Sequence, residues 1–248
     1  MLEDVKYAHV SFGINRNARQ LRRISGLGFS YTRVGSGDLE ARDASGGKAG
    51  SFTYQDSAFG LSGSMSLTRQ LNLGVTAKGI QSEIAGYKSN RAWAFDLGMS
   101  YNMQVVKRPL ALGLGLSNLG QKVGFINQMD SLPAAMNLGA STSFGALTAM
   151  AGLNRGLYDG QTALSLGLET HLGPVSLRAG YRSDSGLGGR GSSASGQSGA
   201  SGMLSGFAAG MGLHIRSLRL DYALGQETQD LGLSQRASIT FQFGKSVK

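Results

Sequence analysis

The 248-residue chain has no cysteine. That excludes a disulfide framework, a thiolate nucleophile and any Cys-ligated zinc site, while leaving cytoplasm and envelope equally open as compartments. Proline is scarce at three residues, below the roughly 5% of average proteins, so the chain is neither collagen-like nor a proline-rich disordered polymer. Charged residues are also few, 16% of the total against about 25% in an ordinary soluble domain. Long apolar runs are missing: bulky apolar residues are interrupted at every second position, and nothing approaches the roughly 18 consecutive apolar residues of a transmembrane helix. The opening residues, MLEDVKYAHV, carry Glu3 and Asp4 and lack an apolar segment, so they do not read as a signal peptide.

Glycine is abundant, 39 residues, more than twice the usual share of about 7%. Combined with 41% hydrophobic residues, this glycine must serve ordered structure. The formal net charge of +9 would suit nucleic acid or anionic lipid, since clustered Lys and Arg act on phosphate in both cases. The charge is scattered, however, and its densest cluster, Arg16, Arg19, Arg22 and Arg23, reads as a solvated connecting segment. Nucleic acid is not an expected partner.

Strict alternation of bulky apolar with small or polar residues recurs along the whole chain, the period-two mark of strands with two unlike faces. From Leu110 to Ser117 the leucines Leu110, Leu112, Leu114 and Leu116 oppose Ala111, Gly113, Gly115 and Ser117. Phe95, Leu97, Met99 and Tyr101 oppose Asp96, Gly98, Ser100 and Asn102, and Leu164, Leu166 and Leu168 oppose Ser165, Gly167 and Glu169. Near the end, Leu218, Leu220, Tyr222 and Leu224 oppose Arg219, Asp221 and Ala223, followed by Ile239, Phe241 and Phe243 against Ser238, Thr240 and Gln242. Roughly thirteen such segments are expected, starting near Val5, Ile24, Ser51, Leu73, Ala92, Leu110, Ala135, Leu147, Gln161, Val175, Gly206, Leu218 and Ser234. Most run about eight to eleven residues, which matches a tilted strand crossing a bilayer better than the five or six of a soluble strand.

Link lengths alternate as well. Gly145-Ala146, Gly173-Pro174 and Arg216-Ser217 read as tight turns, whereas Gly35 to Gly50, Gln121 to Ala134, Gly156 to Gly160, Asp184 to Ser205 and Gln226 to Leu233 are the longer links. Membrane barrels have short periplasmic turns and longer outer loops. The expected fold is therefore all-β: a single transmembrane antiparallel up-and-down β-barrel over residues 1–248 in the bacterial outer membrane. A β-sandwich or lipocalin-like barrel alternates in the same way, but a dozen or more strands enclose a lumen too wide for Leu and Phe to fill. On that ground the polar face lines water and Leu112, Leu114, Leu166, Leu220, Phe241 and Phe243 face lipid.

Chemistry-bearing motifs are sparse. The Gly/Ser-rich stretch Gly186 to Gly202 contains one arginine, Arg190, and reads as a flexible outer loop rather than an RNA-binding tract. Gly113, Gly115 and Gly120 sit in a strand with the wrong spacing for nucleotide binding. His9, His171 and His214 fall in three separate strands and suggest no metal site; no residue qualifies as catalytic, and no cofactor is expected. The candidate functional residues are the charges on the small-residue face: Asp96, Glu169, Arg178, Arg182, Arg219 and Asp221. They either pair across neighbouring strands, as Arg178 or Arg182 with Glu169, or select a solute.

Several stretches together resemble the PorV/PorQ family of outer-membrane proteins, relatives of the FadL-type transporters of hydrophobic compounds. These are VTAKGIQSEI (Val75 to Ile84), AFDLGMSY (Ala94 to Tyr101), LALGLGLSNLG (Leu110 to Gly120) and LPAAMNLGAS (Leu132 to Ser141). LSLGLET, LRAGYRS (Leu177 to Ser183), LRLDYAL (Leu218 to Leu224) and QRASITFQFG (Gln235 to Gly244) follow in order. The resemblance covers the C-terminal two thirds to three quarters of that family. It implies a FadL-like barrel, commonly of fourteen strands, with an N-terminal segment entering the lumen and an aromatic final strand that Phe241 and Phe243 fit. The family's signal peptide and its Asn-Pro-Ala-Gly-like motif have no counterpart here. Together with an odd strand count, where single-chain bacterial barrels have even ones, this suggests an N-terminally truncated chain without its plug.

Three functions are compatible with these expectations. One is a passive channel or transporter for hydrophobic or small amphipathic compounds, embedded in outer-membrane lipid and lipopolysaccharide. Another is a non-enzymatic partner or shuttle for secreted cargo, in the manner of type nine secretion, marked by long ordered outer loops. The third is a soluble β-barrel binding protein, which predicts a detergent-free monomer.

Overall fold

Between Ala92 and Leu97 the ordinary burial order is reversed: Ala92 and Ala94 are fully enclosed at 0% exposure, while Trp93 is 56% and Phe95 50% exposed. Successive side chains of a strand leave on opposite faces, so this strand turns a bare apolar face outward and a covered small-residue face the other way. The same inversion recurs between Ala163 and Leu168. Ala163 is buried while Leu164, Leu166 and Leu168 are exposed.

The structure, a computed structural model, describes residues 5–15, 24–37, 39–42, 45–125, 128–183, 206–226 and 233–243, and every regular element among them is a strand. These are β1 (Lys6–Asn15), β2 (Ile24–Gly35), β3 (Leu39–Arg42), β4 (Lys48–Phe52), β5 (Tyr54–Ser66), β6 (Leu71–Ile84), β7 (Tyr87–Lys88), β8 (Ala92–Val105) and β9 (Arg108–Gly120). They continue as β10 (Val123–Phe125), β11 (Gln128–Asp130), β12 (Ala135–Phe144), β13 (Leu147–Gly156), β14 (Thr162–Leu172), β15 (Val175–Ser183), β16 (Phe207–Ile215), β17 (Leu218–Gln226) and β18 (Leu233–Phe241). The hydrogen-bonded order of the long strands is the chain order, β1-β2-β5-β6-β8-β9-β12-β13-β14-β15-β16-β17-β18. These thirteen, with the short β7 paired to β6, make one large antiparallel sheet, and among the described residues no helix is long and apolar enough to cross a membrane.

Each long strand corresponds to one of the thirteen segments expected from alternation, the largest displacement being the third, expected from Ser51 and observed from Tyr54. Ser51 itself belongs to β4. Most of the long strands have the expected length, nine to eleven residues, while β2 has 12 and β5, β6, β8 and β9 have 13 to 14. Two corrections follow. The links Gly35 to Gly50 and Gln121 to Ala134 are not plain loops: β3 pairs with β4 and β10 with β11. The last strand closes at Phe241, so Phe243 is exposed just past it rather than within it. The Arg16 to Arg23 cluster, Gly186 to Gly202 with Arg190, and most of the link from Gln226 to Leu233 lie outside the described residues.

Two compact units divide the chain, Met1–Tyr101 with Leu114–Met136, and Asn102–Gly113 with Asn137–Lys248. In the first, a register row crosses the ladder as Ile14, Leu27, Gly63, Val75 and Leu97, with the four large side chains exposed. The rows on either side hold small and polar residues: Gly13, Gly28, Ser62, Thr76 and Asp96, then Asn15, Gly26, Ser64, Gly74 and Gly98. In the second unit the row Leu172, Val175, Leu213, Leu220 and Ile239 alternates with Glu169, Arg178, Gly210, Ala223 and Arg236.

Tight turns join the expected hairpins: Gly145 and Gly173 adopt φ of 66° and 63°, the left-handed conformation that a two-residue hairpin loop requires and glycine adopts at no steric cost. Among the described residues no large side chain is fully buried. Each unit is held by its backbone ladder and by polar contacts on the small-residue face, without a packed apolar core.

Candidate functional site

The small-residue face carries one polar cluster in each unit. In the second unit, β14, β15 and β17 contribute Glu169, Arg178, Asp221 and Arg219. Arg178 Nε donates to Glu169 Oε1 at 3.0 Å, and its Nη1 donates to Asp221 Oδ1 at 2.6 Å. Arg219 Nε donates to Asp221 Oδ2 at 2.9 Å. Two cations and two carboxylates thus alternate along a single ladder, and the side chains of Glu169, Arg178 and Asp221 are about three quarters or more enclosed. Alternation of sign is what such enclosure demands, because an unpaired charge there keeps its desolvation cost with nothing to offset it. His171 extends the chain weakly, its Nε2 3.7 Å from Glu169 and its Nδ1 3.0 Å from Ser176 Oγ.

Arg178 and Asp221 are not on adjacent strands. β16 runs between them, and it passes with glycine at both relevant positions, Gly210 opposite Arg178 and Gly212 opposite Asp221. A Cβ at Gly212 would lie 2.6 Å from Asp221 Oδ1 and 3.3 Å from the Arg178 guanidinium nitrogens. The missing side chain is therefore what opens the route.

In the first unit Asp96 of β8 is held by two groups. Lys78 Nζ of β6 lies 2.7 Å from Asp96 Oδ1, and the backbone N–H of Asn118 donates to the same oxygen at 2.8 Å. Lys78 also bonds Asn118 Oδ1, and Asn118 Nδ2 donates to the Pro133 carbonyl at 3.0 Å. Asn118 adopts a left-handed φ of 56°, which turns its N–H toward Asp96. Below it, Gly120 passes against β8 so closely that a Cβ would sit 2.1 Å from the Trp93 carbonyl oxygen. Through these contacts the node ties the link 121–134 to the sheet; the Gln121 N–H donates to Trp93 O at 2.9 Å and Gly124 N–H to Asn90 Oδ1 at 2.8 Å. Leu132 and Ala134 in that link are buried.

Beside the node lies an open hollow of about 610 Å³ along β1, β2, β5, β6 and β8, lined by Ser62, Ser64, Thr76 and Asp96, by a run of glycines, and by Ile14, Leu27, Val75 and Leu97. Its lining mixes small polar groups with aliphatic side chains.

Of the expected site residues, Glu169, Arg178, Arg219 and Asp221 come together in one ladder and Asp96 stands in the other unit. The Glu169 pairing is made by Arg178, whereas Arg182 lies opposite Ser165. Leu112, Leu114, Leu166, Leu220, Phe241 and Phe243, expected to face lipid, are all exposed. Sequence reasoning missed Lys78, Asn118 and Gly212. Lys78 shares the small-residue face with Asp96, but around it the opposite face of β6 reads Val75, Ala77 and Gly79, too bare to say which face Lys78 takes. Among the described residues no group of three or more His, Asp or Glu side chains is placed to hold a metal ion. His9 is bonded to Thr32 Oγ1 at 2.8 Å.

No family model matches the chain, and no curated protein matches it.

Proposed function

We propose that this chain is a bacterial outer-membrane β-barrel of PorV/PorQ type, FadL-like in architecture, and a non-enzymatic passive channel for hydrophobic or small amphipathic compounds. The observation that carries the reading is the burial inversion on β8 and β14, with Trp93, Phe95, Leu164 and Leu166 exposed where Ala92, Ala94 and Ala163 are enclosed. In water an exposed apolar surface of this extent is costly, at roughly 25 cal/mol per Å², and ordinary monomers keep such patches to a few hundred Å². Against hydrocarbon the same surface is at home. The glycine, serine and threonine of the other face, with its paired charges, suit a water-filled interior.

The test is uptake through purified protein in liposomes. Solute-dependent swelling with short amphipathic solutes, absent from empty liposomes, supports the channel; no binding of fatty acid or detergent and unchanged uptake on deletion of the gene would remove it.

A second reading has its own observation. Two long links carry ordered hairpins, β3–β4 and β10–β11, the kind of outer platform a partner for secreted cargo needs. Co-purification of a secreted protein that depends on residues 39–52 or 123–130, with no solute uptake, favours that role over the channel.

A further inference from the structure

We infer that the short-turn rim of the second unit docks on the phosphate headgroups of anionic phospholipid, an inference that rests on the membrane-barrel reading. The rim is continuous. Arg108, at the start of β9, stacks 4.5 Å above the Phe144 ring at the end of β12. Next along it, the His171 N–H donates to the Ala146 carbonyl at 3.2 Å, and the His214 N–H to the Pro174 carbonyl at 2.8 Å. These contacts place the turns 106–107, 145–146, 173–174 and 216–217 side by side in order.

Every charged residue in those turns and at the β9 start is a cation: Lys107, Arg108 and Arg216, all exposed. Among the described residues of the same unit, the carboxylates Glu169 and Asp221 lie on the small-residue face and are bound to Arg178. Directly beneath the cations the outer face is apolar, with Phe144, Leu172, Ile215 and Phe241 exposed. A basic tip above an apolar band matches a lipid leaflet, hydrocarbon below and phosphate above; it does not match an acidic soluble partner, which would leave the band uncovered.

The backbone gives an independent reason to look here. Val106, Lys107 and Arg216 adopt φ of 49°, 65° and 53°, the left-handed region that disfavours most residues with a side chain. Glycine or asparagine would form the same turns without that cost. Strain kept at a charged rim is a mark of use. Val106, an apolar tip 88% exposed next to Lys107, would enter the headgroup layer.

The test folds the full chain into phosphatidylcholine vesicles with and without phosphatidylglycerol, and measures by native mass spectrometry which phospholipid stays bound. Wild type should retain phosphatidylglycerol preferentially, and high salt should erode the preference. The K107Q/R108Q/R216Q variant should fold, as read by the heat-dependent gel shift, but lose preference by about fivefold per cation removed. Equal retention of both lipids by wild type, or an undiminished preference in the variant, overturns the inference while leaving the barrel intact. A chain that enters neither vesicle overturns both.

Discussion

Arg178 reaches Asp221 across an intervening strand, Nη1 to Oδ1 at 2.6 Å, because Gly212 offers no side chain to block it. Replacing Gly212 with valine should therefore separate the pair and leave two enclosed charges half-satisfied. We expect a loss of about 1 to 2 kcal/mol in urea unfolding of vesicle-folded protein. Gly113→Ser, at a position with open space around it, is the control and should be close to neutral.

Lys78 and Asp96 should be coupled in the same sense. A double-mutant cycle of Lys78→Met and Asp96→Asn should return an interaction energy on the order of 1 kcal/mol, the single Lys78→Met change being the more damaging because it strands a carboxylate. Additivity of the two changes would mean that the Asn118 N–H alone satisfies Asp96.

Gly120→Ala should be severe. Its Cβ would lie 2.1 Å from the Trp93 carbonyl oxygen and 2.6 Å from Ala94 Cα, both backbone atoms that cannot step aside without moving β8. We expect a loss of folded yield in the heat-shift gel that Gly98→Ala, with nothing within 4 Å, does not share.

Leu166→Arg, on the exposed apolar face of β14, should cost about 2 to 4 kcal/mol if the residue lies near the bilayer midplane. The neighbouring Ser165→Arg points to the other face and should be tolerated better. Equal tolerance of arginine at both positions, measured by unfolding in vesicles, would mean the faces are assigned the wrong way round.

Thirteen long strands were legible because their two faces differ in size: Leu110 to Ser117 or Leu164 to Glu169 cannot alternate so strictly by accident. The short hairpins were not. Leu39–Arg42 and Lys48–Phe52 are too brief to establish a period, and their pairing depends on the turn between them. At the site, Glu169 and Arg178 share a row between adjacent strands, so a register guess finds them. The Arg178 to Asp221 contact skips a strand, and its signal is one glycine of 39, which gains meaning only once β16 is known to pass between. The Asp96 node was hidden for a related reason: Asn118 departs from extended backbone at φ 56°, and no alternation pattern anticipates a main-chain donor turned sideways.

If the apolar face meets lipid, the single tryptophan of the chain reports it. Trp93 sits on that face, more than half exposed, so its emission in phosphatidylcholine vesicles should be blue-shifted, quenched by brominated acyl chains and shielded from iodide. Red-shifted emission quenched by iodide alone, from protein that stays soluble without detergent, would contradict the account.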